Sequence, residues 1–390
     1  MSPPQVSVTR IDRRRAAVTA LFFANGFGFG AWVAHLPLFK TRLGLSDGVL
    51  GSALFCASLA SLVAMPLLGT LIARYGSRGA ATGASIAASV LLVLPFLAAS
   101  LLEFVVAAIA IGAAYSAMDV AMNAQAVALE ARRARAIMSS FHAFFSTGGL
   151  VGSVASALLI ARGLSIEADG AIVALTACAF VAVALPFLTG EVEVAQAAQS
   201  RRAQLHALRP VALFGALAFL GLVGEGAMSD WSGIYLRSSL AVAAAASAAG
   251  FGAFSIAMAV GRGLGDAIVA RAGAARTLVA GSLLATAALA GALLVHTAWA
   301  AYLGFVLVGL GLANVIPILF SAAGRVRSLP PGVGIASVST LGYAGFLVGP
   351  PAIGFTSDAF GLRIALTLVV VCIAAIAMLA PKALARRAQT

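Results

Sequence analysis

Several carboxylates, amides and one arginine stand inside otherwise apolar stretches, and these are the residues able to do chemistry there. Asp119 and Asn123 are four apart, so on a helix they share one face, with Ser116 three positions before the acid. A carboxylate beside an amide binds hydroxyl groups when ionised and accepts a proton when it leaves water. Glu225 and Asp230 are five apart. Five residues turn a helix by roughly 140°, so at most one of them points squarely into a given cavity. Glu225 lies nearer the middle of its apolar run; Asp230, beside Trp231, reads as a gate towards one end. An ionisable group at membrane depth is costly and usually faces a cavity or a partner. Asp119 and Glu225 are therefore the candidates for handling protons as well as solute.

Arg262 and Asp266 are also four apart, and the spacing predicts an ion pair along one helix that neutralises both charges, a structural bridge or gate. Asn25 and Asn314 sit near the middle of their apolar runs, where an amide either binds hydroxyls or joins two helices. Trp32, Trp231 and Tyr343 could stack a ligand ring, although aromatics near helix ends also serve as interfacial anchors. His142 suits a proton relay or, more simply, an interhelical hydrogen bond. The four histidines, His35, His142, His206 and His296, are far apart. The three cysteines, Cys56, Cys178 and Cys372, are separated too and lie in apolar runs, as buried free thiols do. No metal-ligand spacing, cofactor motif or nucleophile–base pair is present, which argues against an enzyme.

Elements that hold such residues must sit in lipid. The 390 residues are 62% hydrophobic and only 10% charged, against about 25% charged in a soluble domain; mean hydropathy is +1.04. At about 20 apolar residues per crossing the length allows roughly twelve spans. They are expected at 16–38, 47–72, 80–100, 104–129, 136–160, 170–189, 211–236, 241–269, 277–295, 299–323, 333–356 and 362–380. The breaks near Ser100 and Thr297 are weakly marked. The first run, Ala16 to Leu38, follows Arg10 and Arg13–Arg15 but is too long for the core of a signal peptide, so it reads as a retained span.

The net charge of +12 does not point to nucleic acid, because the basic residues cluster between apolar runs. With the N-terminus inside, nineteen of the 25 Lys and Arg fall on the cytoplasmic side. Five (Lys40, Arg42, Arg162, Arg237 and Arg363) fall opposite, and Arg262 lies within a span. The hydrophilic stretch Gly190 to Arg209 divides the chain into a six-helix half at 1–189, a cytoplasmic linker at 190–209 and a second half at 210–390. A weak repeat supports the division. Arg74-Tyr75-Gly76-Ser77-Arg78 recurs as Arg271-Ala272-Gly273-Ala274-Ala275-Arg276, and Trp32 is echoed by Trp231. Two six-helix halves in parallel repeat organise one class of secondary transporter.

These residues resemble the signatures of the major facilitator superfamily. Gly69-Thr70-Leu71-Ile72-Ala73-Arg74-Tyr75-Gly76-Ser77-Arg78 matches the motif of its second-to-third-span loop at the glycines and at Arg74 and Arg78, with Ala73 where that motif has an acid. Gly261-Arg262-Gly263-Leu264-Gly265-Asp266, then Arg271 and Gly273, is a related form in the second half. Gly349-Pro350-Pro351-Ala352-Ile353-Gly354, followed by Asp358, Gly361 and Arg363, is similar to another recurrent pattern. Met118-Asp119-Val120-Ala121-Met122-Asn123-Ala124-Gln125 resembles the acidic-x-x-x-Asn pattern of the fucose permease group of sugar–proton symporters; that group's first-helix acid has no counterpart, since the first span has Asn25 and no carboxylate.

The resemblance implies an all-α membrane fold of twelve helices in two halves and a secondary active transporter working by alternating access. It implies a small polar solute, a sugar, polyol or similar compound, carried with protons. Solute-binding candidates are Asn25, Trp32, Asp119, Asn123, Glu225, Asn314 and Tyr343; proton-coupling candidates are Asp119 and Glu225. Gating candidates are Arg74, Arg78, Asp230, Arg262 and Asp266. The expected setting is a bacterial inner membrane, with both termini cytoplasmic, a monomer, and no metal, cofactor or nucleic acid. The alternative is a proton-driven exporter of drugs or metabolites, disfavoured because Gly148-Gly149-Leu150-Val151-Gly152 lacks the proline such antiporters carry in the fifth span.

Overall fold

In hydrocarbon a backbone must satisfy its own hydrogen bonds, so long apolar runs close into helices. A computed structural model describes residues 8–133, 137–188, 201–326, 329 and 331–385, and among them there is no strand. Among the described residues, twelve helices are long and apolar enough to cross a membrane. They are α1 (Arg13–Arg42), α2 (Asp47–Ile72), α3 (Ser77–Leu97), α4 (Leu101–Glu130), α5 (Ser140–Ala161) and α6 (Ile166–Phe187). After the intervening segment come α7 (Val211–Ser239), α8 (Ala244–Gly263), α9 (Ala274–Val295), α10 (Ala298–Ala323), α11 (Val333–Phe360) and α12 (Leu362–Leu384). The weakly marked breaks prove sharp. Ala98 turns extended after α3, and His296 adopts a left-handed φ of 53° before an extended Thr297 that starts α10.

Of the expected linker, 190–200 lies outside the described residues, while Arg201 already begins the helix that continues into α7. The side on which α1 starts is called near, and the side of the α1–α2 turn far.

The weak sequence repeat has a structural counterpart. Gly76 before α3 and Gly273 before α9 hold the same backbone, φ 83° and ψ 159° against φ 82° and ψ 153°. Each N–H closes a turn, to Ile72 O at 2.8 Å and to Val269 O at 2.9 Å. A side chain is strained at such a φ, which accounts for glycine at both places.

The chain divides into two compact units, one of Met1–Trp32 with Cys56–Ala195, the other of Val33–Phe55 with Gln196–Thr390. In the first, α3 packs on α4 and α6, and Phe22, Met118, Ala121, Met122 and Phe141 form part of one buried cluster. Glycines bring α1 and α5 into backbone contact. A Cβ at Gly26 or Gly30 would strike the carbonyls of Phe145 and Gly149, and one at Gly148 or Gly152 the carbonyls of Phe23 and Phe27. In the second unit α7 packs most extensively on α11, and α9 on α10 and α12.

Two spans of the second unit are interrupted where polar residues stand. After Gly263, α8 passes through a single turn residue, Leu264, into a short helix Gly265–Ala272. Helix α10 likewise breaks at Ala313 and Asn314.

Candidate functional site

In the first unit the polar centre is on α4. The Asn123 side chain turns back one helical turn, its Nδ2 donating to the backbone oxygen of Asp119 at 2.8 Å and to Oδ1 of the same residue at 3.2 Å. The predicted carboxylate–amide pair therefore forms, and both members are half-buried. Ser116 does not join them. It is buried, and its Oγ donates to Ala113 O at 3.1 Å and to Ser61 O of α2 at 3.2 Å. Buried Asn25 reaches across from α1, donating to Tyr115 O at 3.4 Å, so it ties α1 to α4 one turn from Asp119. Trp32 is buried at 7% exposure, with its ring stacked on Phe104 at 5.7 Å. Exposed His142 meets the edge of Phe22 at 5.3 Å between ring centres.

The second unit corrects one sequence expectation. Arg262 does not pair with Asp266. Its Nη2 reaches Glu225 on α7 instead, 3.2 Å from both Oε1 and Oε2, with 32% and 15% of the two side chains exposed. The reason is geometric: the turn at Leu264 sets Asp266 on the following short helix, where it is exposed, whereas Arg262 lies on the buried side of α8. Ile256, Val260 and Leu264, all near half-exposed, mark the opposite stripe, while Phe254, Met258 and Gly261 are buried. Counting 100° per residue puts Arg262 roughly 160° from the exposed stripe.

Asn314 occupies the notch of the α8 interruption, donating from Nδ2 to Gly261 O at 3.2 Å, and a Cβ at Gly265 would collide with its Oδ1. Two interrupted helices thus lock together beside the arginine. Asp230 is half-buried, and its neighbour Trp231 is fully buried. Tyr343 is 40% exposed and its ring meets Phe346 at 6.2 Å. Asp119 belongs to the first unit and Glu225 to the second.

On the near side Arg74 and Arg78 are both exposed, flanking the Gly76 turn. Buried Gln125 donates to Ser77 Oγ at 2.8 Å and pins the start of α3 to α4. Glu130 was not a candidate from sequence; its Oε2 accepts from the N–H groups of Ile137 at 2.7 Å and Met138 at 2.9 Å, capping the entry to α5.

A far-side cluster was missed as well. Lys40 Nζ lies 2.9 Å from Asp47 Oδ1, and Ser357 donates to the other oxygen of Asp47. Asp358 accepts from Ser46 Oγ at 2.7 Å and from Gly48 N at 3.0 Å, so a carboxylate from the end of α11 caps the start of α2. Gly51 and Gly354 allow this approach; a Cβ at Gly51 would lie 2.5 Å from Pro350 O, and one at Gly354 would strike Asp47 O. The available signal was the Gly-Pro-Pro…Asp358 pattern.

Comparison with known proteins agrees with this architecture. The family model of the Major Facilitator Superfamily matches residues 17–333. An uncharacterized MFS-type transporter of Yersinia pestis is 37% identical over 345 residues, 88% of this chain and 89% of its own. Membrane protein MosC of Rhizobium meliloti is 34% identical over 362 residues, 91% and 86% of the two chains. Among solved structures, a mutant form of the nucleoside transporter NupG superposes with a TM-score of 0.79 at 13% identity, covering 95% of this chain and 99% of that one. FucP in its outward conformation gives 0.65 at 19% identity, covering 94% and 98%. At these identities the structural likeness speaks for the fold.

Proposed function

The chain belongs to the major facilitator superfamily and is a multi-pass membrane transporter, and from that premise we propose that it carries a small hydroxylated solute, a sugar, polyol or similar compound, together with protons. The observation that supports this best is the pair on α4, where Asp119 keeps a carboxylate within an apolar helix and Asn123 holds it through one turn. A carboxylate so placed has two uses. Ionised, it accepts hydrogen bonds from solute hydroxyls; protonated, it loses the charge that ties it to water. A carrier whose acid must be neutral to change access binds proton and solute in one cycle, and a proton gradient then drives accumulation.

Asn123 fixes the carboxylate and offers its amide oxygen to hydroxyls. Asn25 and Asn314 act as helix ties, since each amide donates to a backbone carbonyl of another span. The setting proposed is a bacterial inner membrane with both termini cytoplasmic, which makes the near side, with its excess of arginine, the inside. The test is uptake by the purified protein in liposomes, using radiolabelled sugars and polyols with an imposed pH gradient, acid outside. Accumulation that collapses when a protonophore dissipates the gradient is the expected result. Uptake indifferent to the gradient, or export of apolar drugs instead, would contradict the reading.

A further inference from the structure

The Arg262–Glu225 pair is loose in a way that points to an occupant. A guanidinium and a carboxylate that close on each other use two nitrogens in parallel, at about 2.7–2.9 Å. Here one nitrogen, Nη2, is shared between both carboxylate oxygens at 3.2 Å. Among the described residues, Nε and Nη1 of Arg262 donate to nothing. An arginine in an apolar span with most of its donors idle is poorly compensated for the water it has left. The side chain is still 32% exposed although it stands on the buried side of α8, so the protein does not close over it completely. The backbone around it is pinned, since Asn314 of α10 holds the Gly261 carbonyl in the interruption of α8. A guanidinium with idle donors, incompletely covered and held on one edge by the protein's own acid, has the chemistry to receive an oxyanion.

We infer that Arg262 receives an anionic group of the transported solute, a carboxylate, and that Glu225 stands in for that carboxylate when the site is empty. This rests on the proposed function and narrows its solute to a hydroxylated acid, such as a sugar acid, rather than a neutral polyol. Charge counting favours a carboxylate over a phosphate: Glu225 brings one negative charge to one guanidinium, whereas a phosphate monoester brings up to two. The occupant exchanges with Glu225 without any covalent step, and Glu225 is then a positioning residue that keeps the arginine aimed while the site is empty.

The experiment compares three probes on the full chain in detergent, by equilibrium binding. D-gluconate and D-glucitol share one skeleton and differ in a terminal carboxylate, and D-glucose 6-phosphate supplies the phosphate. Gluconate is expected to bind at least about ten-fold more tightly than glucitol, because charge-assisted bonds to Arg262 are added. Arg262→Gln should abolish that preference. Arg262→Lys should retain part of it, since a charge without the fork remains. Glu225→Gln should tighten gluconate a few-fold by removing the competing carboxylate. That variant keeps the shape of the site, so misfolding of the arginine variants cannot stand in for a result.

Equal affinity for gluconate and glucitol, preserved preference in Arg262→Gln, or weaker gluconate binding in Glu225→Gln would overturn the inference. So would failure of gluconate to bind, and so would tighter binding of D-glucose 6-phosphate than of gluconate, which would make the occupant a phosphate. Proton-driven uptake of glucitol that survives Arg262→Gln would sink this inference and leave proton symport standing. Arg262-dependent gluconate binding with no proton movement during uptake would do the reverse.

Discussion

Replacing Gly30 by alanine should loosen the first unit and slow transport. A Cβ built on Gly30 lies 2.8 Å from the carbonyl carbon of Gly149 and closer still to its oxygen, whereas ordinary contact begins at 3.4 Å. The opposing atoms are backbone, so no side chain can rotate away and the helices themselves have to part by more than the roughly 0.6 Å that the carbon alone requires, which forfeits at least a quarter to a half of the dispersion energy at each affected contact. Four glycines, Gly26, Gly30, Gly148 and Gly152, share that seam, so separation at one point is felt along its length. Overpacking of this kind costs about 1–3 kcal/mol, and a rigid carbonyl opposite puts Gly30→Ala near the upper part of that range, about 2 kcal/mol. Gly291→Ala is the matched control, because nothing lies within 4 Å of its Cβ position; there helix propensity makes alanine neutral or better, by up to about 1 kcal/mol. Thermal unfolding in detergent, followed on the purified protein, reads the difference. Equal melting temperatures for Gly30→Ala and Gly291→Ala would refute the reasoning, since the clash would then be relieved at no cost.

Glu225→Ala should destabilise the protein by roughly 2–4 kcal/mol, somewhat below the loss for a fully buried pair because Arg262 is partly exposed. The double variant Glu225→Ala with Arg262→Ala should recover much of that, and chemical denaturation of all three proteins measures it. On the far side, Asp47→Cys with Ser357→Cys, placed in a chain whose native cysteines are replaced, should cross-link under oxidation and stop uptake, with reductant restoring it. Transport that continues through the cross-link would mean that α2 and α11 never part there. Labelling of Gln199→Cys by an impermeant maleimide should require permeabilised cells, and labelling from outside would reverse the orientation assigned from Lys and Arg.

The twelve spans were legible because lipid imposes one rule on all of them: long, predominantly apolar runs, with arginine clustered at their ends. The α4 pair was legible for a similar reason. Asp119 and Asn123 lie within one helix, where a spacing of four fixes the neighbour, and the amide–carboxylate contact at 3.2 Å follows. Arg262 shows where that rule stops. Its spacing from Asp266 is the same, yet one turn residue at Leu264 spoils the register, and the true partner stands 37 positions away on α7. Nothing local in the sequence announces a contact between helices. The cluster of Lys40, Ser46, Asp47, Ser357 and Asp358 was hidden likewise, since apart from the Lys40–Asp47 pair the contacts that assemble it join residues more than 300 positions apart. Trp32 and Asn25 were recognised as polar or aromatic features of α1, but only packing reveals that each is engaged by α4, through Phe104 and the Tyr115 carbonyl.

The proposal that a carboxylate on α4 couples solute to protons is tested most directly by Asp119→Asn in liposomes, assayed for both gradient-driven accumulation and solute counterflow. The amide has the shape and hydrogen-bonding reach of the protonated acid but cannot release a proton. Accumulation against a gradient should vanish while counterflow of solute persists, whereas Asn123→Ala should weaken solute binding and leave coupling intact. Undiminished accumulation by Asp119→Asn would contradict the account and move the coupling role to Glu225.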